Sequence, residues 1–485
     1  MLRAMALVLG VAFGPRATAV EVRNADTGAL VSQGQARHID LGPDVDSDDP
    51  TAWWRSLVAA VAQAGEREIA AISVCGSHPG LVLLDGAGAV LRPVQPWAET
   101  NGERDAARLR NALGADRWAR AAGMLPTARS VVTRLAWLRR HDPETFGRIG
   151  TAMLPHDWLT YRLAGRAVTD RGSASLTGLW SPSTGGWIPE VLAQVGGAVA
   201  DWAGRLPEVL GPADRADWLT APVYELLGLR GRPVVASGTG EPMAVALALG
   251  LIPGRVAVSL GSSTTVLAGL HEPIVDPTGG VRSRADATGR HLAITTVPGG
   301  ATLVGVISDL LELHPDELGA LALAAAPDED GLVLVSGVPG RAGGVLAGLR
   351  AGVDRPQLAR ATFDGVACAA LDAVDQVIDA GAPWDDDEPL RLAGPGEGLD
   401  AHAQVLATLA DRVVMRAPAG SLAAAGACVQ AAAVLADEAP EAVAEAWDLS
   451  GGSWVEPEDD PDRISRRLVH AEERGRQRRA LLDIL

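Results

Sequence analysis

Lysine is absent from the sequence, in which all 42 basic residues are arginine. This absence excludes Schiff-base chemistry and the phosphate-binding lysine of a Walker-type loop, whose glycine pattern is also missing. Cysteine is scarce, and the three residues present, Cys75, Cys368 and Cys428, have no short pairing pattern. We therefore predict neither a disulfide framework nor a zinc site, and the free thiols fit a reducing cytoplasm.

Positive charge is also in short supply. With 42 basic against 60 acidic residues, the formal net charge is −18, which repels nucleic acid and anionic membrane surfaces. No apolar run is long enough to cross a bilayer. We expect small-molecule partners, with neither nucleic acid nor a membrane.

The first residues allow two interpretations. The stretch MLRAMALVLGVAFGPRATA has the early arginine, short apolar run and small-residue end of a secretory signal. It also reads as a buried strand, a Gly-Pro turn and the alternating strand TAVEVRN, which we favour because further strand patterns follow directly. Next we expect a helix from about Pro50 to Ala64, the strand REIAAISVCG and a hairpin turning at Asp85 to Gly88.

Length and repetition indicate a duplicated α/β fold. At 485 residues the chain exceeds the size of a single hydrophobic core, so two domains are expected, 1–245 and 246–485. Strand-turn-strand patterns open each half, over residues 6–38 and again in RVAVSLGSSTTVLAGL, and α/β units follow. Two such halves predict nucleotide-binding domains with a cleft between them. After Gly451 we expect an arginine-rich helix whose charges lie on a solvated face.

One carboxylate follows a glycine turn. In SGTGEPMAVALALG, residues 237–250, a Gly-x-Gly turn follows the apolar strand PVVA, and a helix begins at Glu241. An acid and a proline suit the first turn of any helix, so Glu241 and Pro242 could simply start one. The functional alternative is that the turn presents the Glu241 carboxylate to a substrate at that helix end.

Two longer stretches carry more specific patterns: GVLAGLRAGVDRPQLARATFD, Gly344–Asp364, and LPHDWLTYRLAGRAVTDRGSASLTGLW, Leu154–Trp180. They resemble the C-terminal signature and the Thr-Asp and Ser-Ala-Ser elements of the FGGY carbohydrate kinases, within them the xylulokinase-like branch. The resemblance covers nearly the whole chain. It implies duplicated ribonuclease H-like domains of the actin-like ATPase type, which use ATP and Mg²⁺ to phosphorylate a hydroxyl of a sugar or polyol.

Within this resemblance, the nucleotide-binding half keeps the family pattern. Glycine turns let backbone N–H groups approach phosphate oxygens. The residues that the resemblance assigns to nucleotide binding are Gly14, Gly261, Ser262, Ser263, Gly394 and Gly396.

The sugar-binding and catalytic half departs from the family. Ala12 replaces the aspartate of the first loop and can neither hold a metal ion nor accept a proton, so we name no protein ligand for a metal. Glu241 replaces the aspartate that accepts the proton of the sugar hydroxyl, and its side chain is one methylene longer. His78, Trp97 and Glu99 stand at altered or displaced sugar-contacting positions. A misplacement of about 1 Å costs on the order of 10²-fold in rate, so these changes are compatible with weak or altered catalysis.

Three functions stay open on the sequence alone. The first is a carbohydrate kinase with Glu241 as general base, and the second is a non-catalytic protein that binds nucleotide or sugar on the same scaffold. The third is a dinucleotide-dependent oxidoreductase, prompted by the spacing of Gly394, Gly396 and Gly398 after a strand. The acidic residue expected at the end of the next strand, VVMRA, is missing. A homodimer is an open alternative to a monomer.

Overall fold

Strands and helices alternate along the chain in the computed structural model, which describes residues 6–38, 49–76, 80–94, 99–325, 332–336, 343–394 and 396–482. The strands are β1 (Leu7–Phe13), β2 (Ala17–Asn24), β3 (Leu30–Arg37), β4 (Ile69–Gly76), β5 (Val82–Leu84), β6 (Thr151–Met153), β7 (Val168–Asp170), β8 (Trp180–Ser181), β9 (Gly186–Trp187), β10 (Glu208–Leu210), β11 (Arg215–Trp218), β12 (Val234–Ala236), β13 (Thr239–Gly240), β14 (Val256–Leu260), β15 (Ser263–Leu270), β16 (Arg282–Ala285), β17 (His291–Pro298), β18 (Val333–Val335), β19 (Val345–Ala347), β20 (Leu390–Ala393), β21 (Val414–Arg416) and β22 (Ser453–Val455). The helices are α1 (Pro50–Ala64), α2 (Glu99–Leu113), α3 (Ala115–Ala122), α4 (Val131–His141), α5 (Pro143–Gly147), α6 (Pro155–Ala164), α7 (Arg171–Leu176), α8 (Pro189–Val195), α9 (Val199–Trp202), α10 (Ala221–Leu227), α11 (Glu241–Ala248), α12 (Ala301–Leu311), α13 (Pro315–Ala324), α14 (Arg355–Asp379), α15 (Leu399–Ala410), α16 (Leu422–Ala436), α17 (Pro440–Trp447) and α18 (Arg463–Leu482).

These elements belong to two compact units, and each unit is formed from three separate segments of the chain. The first contains Met1–Gly250, His271–Leu292 and Ser421–Ser450. The second contains Leu251–Leu270, Ala293–Gly420 and Gly451–Leu485. The division into domains 1–245 and 246–485 stays a prediction, and the first unit takes segments from both sides of that cut.

The sheet of the first unit is built around β1. Its strand order is β11-β12-β4-β1-β2-β3, and β13 also pairs with β4. β1 is antiparallel to β2 and parallel to β4, and almost all of its residues are buried. The strand interpretation of the N-terminal residues is therefore confirmed, as is the helix Pro50–Ala64.

Two glycines let helices approach both faces of this sheet. A Cβ atom at Gly34 in β3 would lie 2.1 Å from the carbonyl oxygen of Ala60 in α1. A Cβ atom at Gly10 in β1 would lie 2.1 Å from the carbonyl oxygen of Ala424 in α16. Gly34 shares a sheet face with Val11 through the register of β1, β2 and β3, and Gly10 points to the opposite face. The continuous apolar sequence of β1, LVLGVAF, is that of a strand covered on both sides.

The second unit repeats this topology. Five consecutive strands of its sheet, in the order β17-β15-β14-β20-β21, correspond to β3-β2-β1-β4-β12 of the first unit. In both sets the central strand is antiparallel to one neighbour and parallel to the other, and the next strand is again parallel. The predicted duplication of an α/β domain is confirmed.

The hairpin expected around Asp85–Gly88 is present as a short antiparallel pair. Its turn is closed by a hydrogen bond from the N–H of Gly88 to the carbonyl oxygen of Asp85 at 3.0 Å. Beyond the turn Leu84 pairs with Val90, and the N–H of Leu91 donates to the carbonyl oxygen of Leu83 at 2.8 Å. β5 also pairs antiparallel with β6; β5 is fully buried, whereas Val90 is exposed to solvent.

Buried charges attach the C-terminal helix α18 to α14. The carboxylate of Asp364 in α14 accepts a hydrogen bond from Nε of Arg360 at 3.0 Å and lies 3.6 Å from Nη1 of Arg466 in α18. Arg466 also forms an ion pair with Asp460. Burial raises the pKa of Asp364 and lowers the pKa of Arg466. The expectation that all charges of this helix are solvated is therefore wrong on the side that faces α14.

Within the described parts of the chain, no single helix has both the length and the apolar composition of a membrane span. α16 and α17 reach them only as a pair, with a bend of 117° between the two helices. Most residues of α16 are buried inside the first unit.

Candidate active site

Glu241 lies where parallel strands of the first sheet end. β13 pairs in parallel with the end of β4, which places Gly240 opposite Gly76. β1 places Phe13 opposite the same glycine on its other side. Glu241 begins α11 directly after Gly240, and Pro242 follows in the first helical turn, so the predicted order of strand, turn and helix is confirmed. Ligands of open α/β sheets bind outside the carboxyl ends of such strands, and the helix dipole favours a carboxylate here.

Helices α6 and α7 pack against these strand ends. A Cβ atom at Gly76 would lie 2.7 Å from the Cβ of His156 in α6. A Cβ atom at Gly240 would lie 3.2 Å from the Cδ1 of Leu176 in α7. At Gly76 the spacing leaves no room for a side chain, so the backbone lies directly against α6.

Asp170 connects α7 with the strand that leads to Glu241. As the N-cap of α7, its carboxylate accepts hydrogen bonds from the N–H groups of Gly172 at 2.8 Å and Ser173 at 3.1 Å. It accepts a third from the Oγ1 of Thr239 at 3.1 Å. The Oγ of Ser173 in turn lies 2.9 Å from Nε2 of His156. We assigned no role to these side chains from the sequence, although Thr-Asp ahead of a small-residue helix is a capping pattern.

Burial shifts the pKa values of the titratable side chains around Asp170. It lowers the pKa of His156 to about 4, so the ring is neutral at pH 7. It raises the pKa of Asp170 to about 6, against the opposing effect of the hydrogen bonds from Ser173, Thr239 and the backbone. The pKa of Asp157 is raised well above its usual value, first by burial and then by the charge of Asp170.

The negative charge of Glu241 affects the pKa of the neighbouring Cys75 thiol. The pKa of Cys75 is raised well above its usual value, first by burial and then by the negative charge of Glu241. The Sγ of Cys75 lies 3.2 Å from the carbonyl oxygen of Ala423. A buried thiol held in its neutral form is a packing residue and a poor nucleophile.

The first sheet does not fit a metal ion held by residue 12. Ala12 lies opposite Cys75 on one side of β4, and Thr239 lies opposite the same cysteine on the other side. Mg²⁺ needs oxygen ligands, and the methyl group of Ala12 supplies none. Across the described ranges, no group of three or more His, Cys, Asp or Glu residues is arranged to hold a metal ion.

A glycine-serine turn joins β14 and β15 in the second unit, as predicted. The N–H of Gly261 donates to the carbonyl oxygen of Ser263 at 3.0 Å, and the carbonyl oxygen of Gly261 accepts from the N–H of Ala301 at 3.0 Å. Gly300 has a φ of 66°, and a Cβ atom there would lie 2.9 Å from the Oγ1 of Thr264. The first turn of α12 therefore lies against the Gly261 turn. We missed this contact, although two consecutive glycines ahead of an apolar helix are its signal.

The second glycine segment of this unit lies beside the first. β14 and β20 are parallel neighbours, so Gly261 and Gly394 both follow the carboxyl ends of adjacent strands. A Cβ atom at Gly394 would lie 3.2 Å from the Cβ of Leu260. Of the described atoms, none lies within 4 Å of a Cβ at Gly396, and Ser262 is exposed at the tip of the other turn. Open turns of this kind present backbone N–H groups to an anion.

Of the other predicted site residues, the structure describes the backbone of Gly14 and Glu99. The N–H of Gly14 donates to the carbonyl oxygen of Ala17 at 3.0 Å and closes the turn from β1 to β2. His78 and Trp97 lie outside the described residues. Glu99 is the first residue of α2, and its side chain also lies outside the described part. Contacts of these residues with a sugar or nucleotide stay predictions.

Comparison with known proteins gives matches along almost the entire chain. The model of the N-terminal domain of the FGGY family of carbohydrate kinases matches residues 7–248. "Xylulose kinase" of Streptomyces rubiginosus is 36% identical over 473 residues, which cover 96% of this chain and 95% of that protein. "Xylulose kinase" of Streptomyces coelicolor is 37% identical over 456 residues, covering 92% of each. The crystal structure of a xylulose kinase from Bifidobacterium adolescentis has a TM-score of 0.79 and 30% identity, covering 98% of this chain and 100% of that one.

Proposed function

The chain belongs to the FGGY family of carbohydrate kinases, and we propose that it transfers the γ-phosphoryl group of MgATP to a hydroxyl group of xylulose or a closely related ketose. The two Streptomyces proteins to which it is similar over more than nine-tenths of their length are both named xylulose kinases. The structural observation that carries the proposal is the position of Glu241, the first residue of α11, at the carboxyl ends of β4 and β13.

In this proposal Glu241 is the general base. Phosphoryl transfer demands little covalent chemistry from a protein and depends on positioning and on stabilising charge. A carboxylate at the hydroxyl can accept its proton as the oxygen attacks, an effect worth roughly 10²- to 10⁴-fold in rate. Glu241 is assigned this step because it is an acid at the strand edge, whereas β1 has Ala12 at the position where the family has an aspartate.

The nucleotide is assigned to the second unit. The turn Gly261–Ser263 and the segment after β20 follow neighbouring strand ends of that unit, and glycine turns of this kind suit the binding of phosphate oxygens by backbone N–H groups. Mg²⁺ enters as part of the MgATP substrate, in which phosphate oxygens and water molecules supply its ligands. We place the reaction in the cytoplasm, where ATP is available and the three free cysteines, all buried, remain reduced. A homodimer stays a prediction.

The test is ADP release by the purified chain with MgATP and D-xylulose, alongside a panel of other ketoses, hexoses and polyols. We expect sugar-dependent turnover, which Glu241→Gln lowers by about 10³-fold in kcat. Glu144→Gln is the matched control, because Glu144 also lies in the first turn of a helix of the first unit and is exposed. The control keeps the kcat of the parent chain.

Other outcomes identify the alternatives. No turnover on any sugar, with ADP still raising the melting temperature, refutes the kinase proposal and favours a nucleotide-binding scaffold without catalysis. Stabilisation by NAD but not by ADP would favour the oxidoreductase alternative. If the Glu241→Gln protein keeps the turnover of the parent, Glu241 is not the general base, but the chain is still a kinase.

A further inference from the structure

We propose that Asp170 and Thr239 form a positioning pair that fixes the place of the Glu241 carboxylate. The inference rests on the proposed role of Glu241 as general base and extends it to two residues that do not touch the reacting atoms. They act through the two-residue strand β13, which ends immediately before Glu241.

β13 is short, and the residue before it is held by Nε2 of Gln430, which donates to the carbonyl oxygen of Gly238 at 2.9 Å. The strand consists of Thr239 and Gly240 alone, paired with the last two residues of β4. The residue before it, Gly238, has a φ of 81° and turns sharply, with a Cβ there 2.7 Å from the carbonyl oxygen of Val74. Because so short a strand makes few ladder hydrogen bonds, a side-chain anchor has a large share in setting its position.

The acceptor is buried and hydrogen-bonded on its own helix. Asp170 is 3% exposed, and its two oxygens are already oriented by two backbone N–H groups at the start of α7. The far end of α7 is fixed as well, since the buried guanidinium of Arg284 donates to the carbonyl oxygen of Ser175. A carboxylate held in this way gives Thr239 a hydrogen-bond partner of defined position, and a buried network of this kind is rigid.

A second contact joins the same helix to α11. A Cβ atom at Gly172 in α7 would lie 2.8 Å from the Cγ of Met243 in α11. The Sδ of Met243 would lie 3.0 Å from a Cβ atom at Gly240. Gly240, which directly precedes Glu241, is thus packed against Met243, and the hydrogen bond from Thr239 to Asp170 attaches the same segment to α7.

Thr160 provides a matched control for the loss of the Thr239 hydroxyl. It is fully buried in the same unit, and its Oγ1 would lie 3.3 Å from a Cβ atom at Gly238. In the described structure its hydroxyl has no hydrogen-bond partner. Thr160→Val therefore makes the same change of atoms beside the same segment without breaking a hydrogen bond.

The experiment compares Thr239→Val, Thr239→Ser and Thr160→Val in the full chain. Steady-state kinetics with D-xylulose and MgATP give kcat and KM, and hydrogen–deuterium exchange reports on the peptide that contains residues 237–243. We expect Thr239→Val to lower kcat about 10-fold or more, with KM for MgATP changed less than about twofold. Exchange in the peptide should accelerate. Thr239→Ser restores kcat to within about threefold of the parent, because it keeps the hydroxyl.

Each result decides the proposal. A Thr239→Val protein with the parental kcat and parental exchange overturns it, as does an equal loss of kcat in Thr160→Val. A fall in melting temperature with unchanged kcat shows a purely structural role and also overturns it. If the parent chain itself turns over no sugar, the proposed function fails, and the exchange rates alone then decide whether the pair fixes β13.

Discussion

Replacing Gly426 by alanine tests how closely α16 must approach α11. Gly426 lies inside α16, and a Cβ atom there would lie 2.0 Å from the carbonyl oxygen of Ala244 and 2.6 Å from its carbonyl carbon. Both neighbours are backbone atoms, so no change of rotamer relieves the overlap. Because α11 begins with Glu241, the movement that relieves it displaces the helix that carries the proposed general base.

Two opposing effects determine how Gly426→Ala changes the free energy of unfolding. An alanine in place of a helical glycine stabilises a helix by up to about 1 kcal/mol through backbone entropy. The contact at Gly426, however, must open from 2.0 Å to an ordinary separation of about 3.5 Å. Overpacking of a close-packed interior costs about 1–3 kcal/mol, and more where backbones must separate. We therefore expect Gly426→Ala to lower the free energy of unfolding by about 1–2 kcal/mol net, and to reduce kcat by up to about 10²-fold.

The assay is urea unfolding followed by tryptophan fluorescence, together with kcat for D-xylulose. Gly305→Ala is the control, because Gly305 is also a helical glycine, in α12, and of the described atoms none lies within 4 Å of a Cβ there. The control should be as stable as the parent or up to about 1 kcal/mol more stable. A Gly426→Ala protein that is stabilised as much as the Gly305→Ala control refutes the reasoning from the close contact.

Three further predictions concern buried groups. Burial lowers the pKa of His402 from 6.5 to about 4. The unfolded chain therefore binds a proton more readily than the folded chain as the pH falls from 6.5 towards 4, and the folded state loses stability. By urea unfolding at pH 4.5, His402→Leu should lose about 2–3 kcal/mol less of its free energy of unfolding on acidification than the parent does. Asp364→Ala leaves the partly buried Arg360 without its carboxylate and Arg466 with Asp460 alone, and should cost about 3 kcal/mol. Asp375→Ala, which removes a more exposed pair on the same helix, should cost at most about 1 kcal/mol by the same measurement. The three cysteines are buried and, because burial raises their pKa values, should react with Ellman's reagent only after unfolding; rapid labelling of the native chain would contradict this. The residues concerned are Cys75, Cys368 and Cys428.

Features that depend on neighbours in the sequence were predictable. The helix Pro50–Ala64 begins with a proline directly after Asp49, which caps it in the structure. The turn at Gly261 and the helix start at Glu241 were equally clear, because glycine, serine and proline restrict the backbone locally. The duplicated topology followed from two such series of elements in the same order.

Features that depend on contacts between residues far apart in the sequence were not predictable. The hydrogen bond from Thr239 to Asp170 joins residues 69 positions apart, and neither residue is unusual in its own segment. The charges of α18 read as solvated because a helical pattern does not show that α14 presents Asp364 to Arg466. Glu241 could be located from the sequence, but the residues that hold it in place could be found only from tertiary contacts.

The helix α16 has a consequence for the order in which the protein can fold. It covers one face of the first unit's sheet, where the Sγ of Cys428 donates to the carbonyl oxygen of Glu21, 407 positions away, and the Oγ of Ser73 donates to Gln430, 357 positions away. A ribosome releases β1 and β4 long before it makes this helix, so their apolar face stays open during most of translation. Contacts so far apart in the chain form slowly, and a fragment ending at residue 250 would never acquire this cover. β1 is thus made long before the helix that encloses its second face.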